Sequence, residues 1–250
     1  NPQSPIPNPQ LIIIIKIDVI IIMNIIYDIM LNYIKKKIIL KMADSSKGIK
    51  IILLGESGVG KTNLINVATG EEFEQNSMSS SSGAYKEGEL ILSNKKKYEY
   101  NLWDTAGQEA YRSLNKIFIK NAKIVIFVYA IDNAPSFKEL NYWIELAKGE
   151  LGDGFIKGIV ANKIDLYEEQ QVKEEDAIKF ANSLNIKYKT TSALTDPMGF
   201  KSFLEELIID YIKTIDPNFK DDSKSRGKKN DNSFTLGKEG DNQTKKKRCC

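Results

Sequence analysis

Short β-rich apolar runs alternate along this chain with segments whose apolar residues recur at helical spacing. Ile49–Leu54 (IKIILL) is apolar and ends at a glycine, the pattern of a buried parallel strand. A glycine-rich turn follows, then a helix-compatible segment from residue 61 to about 69. The serine-rich residues 77–83 have no apolar period and read as a loop. Residues 87–92 and 97–103 flank Ser93-Asn94-Lys95, as the arms of a hairpin would. Residues 124–130 (IVIFVYA) and 156–161 are two further buried-strand candidates. Between them residues 135–148 have helical character, with Pro135 suited to a first turn. Phe200, Phe203, Leu204, Leu207, Ile208, Tyr211 and Ile212 recur at three- and four-residue steps, one apolar stripe expected to pack on the core. Strands alternating with helices predict an α/β fold with a parallel sheet covered on both faces.

The ends of the chain differ from this middle. After a Pro-rich opening, residues 11–40 form an isoleucine-dominated run long enough to cross a bilayer. Lys16, Asp18, Asn24, Asp28 and Asn32 interrupt it, and a mid-membrane charge costs roughly 2.5–3.5 kcal/mol. The expectation is that Met42 is the native start, with residues 1–41 an artefact of gene prediction in AT-rich DNA or disordered, and 42–48 a short leader. Beyond about residue 214 the chain turns polar, with Gly, Ser, Asp and Lys, which predicts a disordered tail over 215–250.

A net charge of +3 among 250 residues describes an ordinary surface and argues against nucleic-acid binding through bulk positive charge. The chain has no histidine, so Ser–His–Asp chemistry and His-ligated zinc are excluded. Catalysis is left to carboxylates, amides, lysine, backbone N–H groups or a metal held by oxygens. The two cysteines are the last two residues, Cys249 and Cys250, and form no structural framework; a reducing, cytosolic setting follows.

Gly55-Glu56-Ser57-Gly58-Val59-Gly60-Lys61-Thr62 matches the phosphate-binding loop, between a predicted strand and a predicted helix as that motif requires. Its glycines let backbone N–H groups turn toward phosphates, and the helix N-terminus adds its positive end. Lys61 would set a cation against the β- and γ-phosphates, and the Thr62 hydroxyl would ligate Mg²⁺. Three further motifs follow in order, each after a predicted strand: Asp104-Thr105-Ala106-Gly107-Gln108-Glu109, Asn162-Lys163-Ile164-Asp165 and Thr191-Ser192-Ala193. Ligands of open parallel sheets bind at the carboxyl ends of strands, where all four sit.

With these motifs the sequence resembles the Ras superfamily of small GTPases over about residues 49–214. The resemblance implies a single G domain, a mostly parallel six-stranded sheet with helices on both faces, that binds GTP or GDP with Mg²⁺. Asp165 would accept from N1–H and the exocyclic amine of guanine, whereas adenine would meet it with a lone pair. Asn162, Ser192 and the Ala193 N–H would complete the base site, with the Lys163 stem over the ring. Phe73 lies where the family often places an aromatic on guanine; the alternative is a hydrophobe anchoring its loop. Ser57, Gly58, Val59 and Gly60 would wrap the phosphates. Asp104 would hold Mg²⁺ through a water, the Gly107 N–H would reach the γ-phosphate, and Gln108 would orient the attacking water. No arginine finger is identifiable in cis, so slow hydrolysis is expected.

Lys245-Lys246-Lys247-Arg248-Cys249-Cys250 is similar to the terminus of Rab proteins, where an escort and transferase system attaches two geranylgeranyl chains. Two lipids anchor stably where one binds marginally. Trp103 before Asp104, and Tyr111-Arg112-Ser113-Leu114 after it, are also Rab-like. The resemblance thus implies a switch on the cytosolic face of intracellular membranes. An exchange factor, a GTPase-activating protein, effectors and a GDI-type chaperone would be its partners, and vesicle traffic its setting. The first switch departs from the pattern. Ser80 stands where threonine normally reaches Mg²⁺ and the γ-phosphate, and Ser81 replaces an apolar residue. Tyr85, Trp103 and Phe118 could form the aromatic triad that Rab partners read. Ala130 replaces a common aspartate, and Leu194 a lysine. Two alternatives follow: a nucleotide-bound scaffold with a degenerate first switch, and a Ras-type signalling switch.

Overall fold

The computed structural model describes residues 19–27, 29–30, 48–74, 85–92, 95–105, 112–216 and 219. Six strands form one sheet: β1 (Ile49–Leu54), β2 (Tyr85–Ile91), β3 (Lys97–Asp104), β4 (Ile124–Ala130), β5 (Ile156–Asn162) and β6 (Lys187–Thr190). Their order is β2-β3-β1-β4-β5-β6, parallel throughout except for the antiparallel β2–β3 hairpin. Leu92 N–H to Lys96 O (3.0 Å) and Lys95 N–H to Leu92 O (2.8 Å) close that hairpin where the sequence predicts a turn. The helices are α1 (Lys61–Ala68), α2 (Arg112–Ile119), α3 (Ala134–Lys138), α4 (Leu140–Leu151), α5 (Glu174–Ser183) and α6 (Pro197–Ile215).

Each strand sends alternate side chains to opposite faces, so a strand covered on both sides must be apolar throughout. All seven residues of β4 are buried. Val125, Phe127 and Tyr129 point into a core with Trp143, Ile144 and Ala177, under α4 and α5. Ile124, Ile126, Val128 and Ala130 point into the other, with Leu64, Phe203, Leu207 and Ile208 from α1 and α6. The predicted stripe on α6 is that second core's lid: Phe200, Phe203, Leu204, Leu207, Ile208 and Ile212 are buried. A Cβ on Gly158 of β5 would lie 2.7 Å from Leu207 Cδ1, so the glycine lets this helix approach the sheet closely.

The predicted helix over 135–148 is two pieces, α3 and α4, meeting at Glu139, whose backbone stays right-handed at φ −72°. Asn133 caps the first piece by accepting from Ser136 N–H. Helix α5 gives little apolar signal, because its fully buried positions are two alanines among charged residues. The isoleucine-rich segment is helical over residues 19–27, with Ile20, Ile22 and Met23 exposed. Among the described residues no helix is long and apolar enough to cross a membrane.

Candidate functional site

Four loops leave the carboxyl ends of β1, β3, β5 and β6, and the described motif residues lie on them, on the last residue of the strand before or in the first turn of the helix after. In the first loop Gly60 takes φ +93° immediately before α1, a left-handed turn that L side chains adopt at a cost of roughly 1–2 kcal/mol. A Cβ there would also lie 2.4 Å from the Asn162 amide nitrogen, so only glycine allows the loop to close on the β5 motif. Ser57 and Gly58 are exposed at the loop's crest and Val59 is buried beneath it. Lys61 is buried, its ammonium donating to the Gly55 (2.9 Å) and Glu56 (2.8 Å) carbonyls inside the loop's curve. The ammonium is therefore held at the point around which the loop turns.

Beside it the Thr62 hydroxyl donates to Asp104 Oδ2 at 2.7 Å, joining the start of α1 to the end of β3. The β1–β3 register sets this distance, since Leu53 pairs with Asp104. Thr105, which the sequence reading assigns no role, bonds its hydroxyl to Leu53 O at 2.7 Å and fixes the same junction. A hydroxyl and a carboxylate oxygen converging at the edge of a phosphate-type loop suit a hard cation that keeps waters and phosphate oxygens as its other ligands. No group of three or more His, Cys, Asp or Glu gathers as a metal cage among the described residues.

On the base side Asn162 ties three loops together. Its amide donates to Val59 O (2.8 Å), and its carbonyl accepts from the Ala193 N–H (3.2 Å). It is buried, so either bond, once lost, would orphan a backbone group. Asp165 Oδ1 accepts from the Ser192 hydroxyl at 2.5 Å, while Ser192 Oγ accepts from Leu194 and Thr195 N–H. The carboxylate is thus oriented by a residue that its own loop braces. Lys163 sits left-handed at φ +64° and pairs with Asp132 at 3.2 Å. Non-glycine residues in this region concentrate at functional sites. Phe73 is half-buried and packs with the α1–α6 core, the contact expected of a loop anchor. Asn63 holds the same segment through both Glu74 backbone groups.

Tyr85, Trp103 and Phe118 do meet. Tyr85 stacks on Trp103 at 4.9 Å, and Phe118 lies 6.2 Å from Trp103 on its other contact. The half-buried Lys50 places its ammonium 4.7 Å over the Trp103 ring and donates to Lys120 O. Burial lowers its pKa to about 8. Ser80, Gly107, Gln108, Cys249 and Cys250 lie outside the described residues, as does most of the predicted tail; its first residue, Ile215, instead ends α6, and Phe219 packs against the α1–α6 core, because the apolar stripe of α6 continues past residue 214.

A loop cradling a lysine at one end, and an Asn-Lys-x-Asp segment braced by Ser192 and Ala193 at the other, define a P-loop nucleotide-binding domain with a purine site. The comparisons with known proteins agree: the Ras family model matches residues 50–213. Ras-related protein Rab-21 of Geodia cydonium is 35% identical over 166 residues, covering 66% of this chain and 70% of that protein. GTP-binding protein ypt5 of Schizosaccharomyces pombe is 33% identical over 147 residues, 58% and 70% respectively. Ras-related protein Rab-21 of Homo sapiens is 30% identical over 178 residues, 71% and 76%. The chain belongs to the Ras family, and its named relatives are Rab-type proteins. It is accordingly a GTPase, a guanine-nucleotide-dependent switch that acts with regulators and effectors.

Proposed function

We propose that this GTPase is a Rab-like switch that hydrolyses GTP slowly and recruits effectors to intracellular membranes in vesicle traffic. The observation that carries the reading is the convergence of Lys61, Thr62 and Asp104 with Asn162, Asp165, Ser192 and Ala193 along one edge of the sheet. Its extent is one G domain over residues 49–214. Asp165 selects guanine by accepting two hydrogen bonds, and the Lys163 stem covers the base held by the Asn162-linked loops, while Phe73 anchors its loop. Ser57, Gly58, Val59, Gly60 and Lys61 bind the phosphates. Thr62, Asp104 and, by sequence position, Ser80 hold Mg²⁺, which supplies charge neutralisation when bound. Gly107 donates to the γ-phosphate and Gln108 orients the water. The water oxygen bonds to the γ-phosphorus and gives up a proton to the phosphate being released, the bond to the bridging oxygen breaks, and GDP leaves with that electron pair. Positioning and fixed charge do this work, so an unaided rate on the order of 10⁻⁴ s⁻¹ is expected.

The Tyr85–Trp103–Phe118 cluster is the candidate triad for effector recognition, with Tyr85 its half-buried member over the buried Trp103 and Phe118. Cys249 and Cys250 take geranylgeranyl chains from an escort and transferase system, and a GDI-type chaperone extracts the lipidated protein from the cytosolic face. The Rab-type relatives favour this reading over a nucleotide-bound scaffold. The test is single-turnover phosphate release from the full chain loaded with GTP and Mg²⁺, beside Gln108→Leu. Slow release that the variant abolishes is expected. Equal release from both proteins would remove Gln108 from the reaction, and none from either would refute hydrolysis by this chain.

A further inference from the structure

A carboxylate that pairs with Lys163 of the base loop belongs to none of the four motifs. Asp132 follows β4, and its loop is fixed at both sides. Ile131 N–H donates to Asn162 O at 3.1 Å, and Ile131 O accepts from Gln171 N–H (2.8 Å) and Val172 N–H (3.2 Å). Asn133 N–H returns to Ala130 O at 3.0 Å. Behind them the buried Ser136 hydroxyl accepts from Ala130 N–H and donates to Asn133 O. The β4–β5 register places Ala130 opposite Asn162, so this braced turn lies alongside the base motif. Asp132 Oδ2 reaches Lys163 Nζ at 3.2 Å, with the two side chains 18% and 31% exposed. Asp132 Oδ1 is buried with no hydrogen-bond partner among the described residues.

A buried, unpaired carboxylate oxygen is costly, and a fold tolerates it where the group has a task. We infer that Asp132 is a positioning residue for guanine nucleotide: its ion pair holds the Lys163 stem in the pose that covers the base. The inference rests on the base site proposed above. A long lysine side chain gives up rotamer freedom when it is ordered. Pairing its ammonium with a carboxylate on a rigid turn settles that loss before the ligand arrives, and bound nucleotide then leaves more slowly. The left-handed backbone of Lys163 aims the side chain at this turn, and the partial burial of the pair shields it from salt more than a surface pair.

The test is the dissociation rate of fluorescent GDP from the full chain with Mg²⁺. It compares wild type, Asp132→Asn, Asp132→Ala, Lys163→Ala and the Asp132→Ala/Lys163→Ala double variant. Asp132→Ala is expected to release GDP about fivefold faster, with Asp132→Asn intermediate because it keeps a hydrogen-bond acceptor without the charge. In the Lys163→Ala background, Asp132→Ala should change the rate by less than about 1.5-fold. Additive losses in the double variant would overturn the positioning role and leave Asp132 a structural residue. Wild-type rates from Asp132→Asn and Asp132→Ala would overturn it as well. If wild type itself retains no GDP, the base-site reading fails first and the inference falls with it.

Discussion

The two halves of the site are built differently. On the base side almost every functional group is already engaged by another: Asn162 with Val59 and Ala193, Asp165 with Ser192, Lys163 with Asp132. On the phosphate side Lys61 rests on two carbonyls of its own loop and Thr62 on the Asp104 carboxylate. Lysine, hydroxyl and carboxylate bonds of that kind are the ones a phosphate and a divalent cation can replace with stronger partners. On the proposed reading the contrast is a division of labour: a prebuilt cleft chooses the base, and an exchangeable set of charges responds to what hangs from it. A switch needs both, since the base must stay while the terminal phosphate changes.

The largest effect should come from cutting the hub of the base side. Asn162→Ala orphans the Val59 carbonyl and the Ala193 N–H, at roughly 1–3 kcal/mol each when buried. GDP dissociation measured by fluorescence should accelerate on the order of a hundredfold, and the melting temperature should fall. The factor by which Mg²⁺ slows release should stay as in wild type. If that factor collapsed too, the two halves would be one unit and the contrast would be lost.

Thr62→Ala makes the complementary cut. It removes the hydroxyl that meets Asp104 and leaves the base cleft intact. The ratio of GDP release rates without and with Mg²⁺ should drop about tenfold, roughly 1.4 kcal/mol, while competition assays keep the preference for GDP over ADP. A change in base preference would contradict the separation.

The smallest effect is a control at the opposite end of β1. Lys50 is half-buried, has a Lys120 carbonyl and the Trp103 face for company, and burial lowers its pKa to about 8 from 10.5. Between those two values the unfolded chain binds more protons than the folded one, so stability rises with pH there. Below pH 8 the lysine carries its full penalty, about 1 kcal/mol after allowance for solvent and for the attraction of the indole face. Urea unfolding should therefore find Lys50→Met more stable than wild type at pH 7, with the gap closing by pH 10. Release rates in both halves should be untouched. A gap that holds constant with pH would remove the charge from the account.

Much of this could be read before any coordinates. The strand runs ending at Leu54, Ala130 and Ala161 were legible because both faces of the sheet are covered there, which forces mostly apolar segments, and the run ending at Trp103 was legible as one arm of a hairpin. The phosphate loop was legible because Gly60 has to be glycine: its left-handed turn and the neighbouring Asn162 amide leave no room for a side chain. The weak helix α5 was not, since alanines suffice where it meets the core. The break between α3 and α4 at Glu139 has no counterpart in the apolar pattern either.

The sequence by itself named the residues proposed to carry the chemistry, because phosphate, guanine and a hard cation each demand particular donors and acceptors at strand ends. Only the tertiary structure decided how those residues hold one another. Asn162 bridging loops 103 positions apart, Thr105 locking β3 to β1 and Asp132 reaching Lys163 are contacts between segments remote in sequence. No local pattern encodes such a contact. It arises when parallel strands in register bring their carboxyl ends to one edge, and hydrogen bonds then form between whichever polar groups that register leaves side by side.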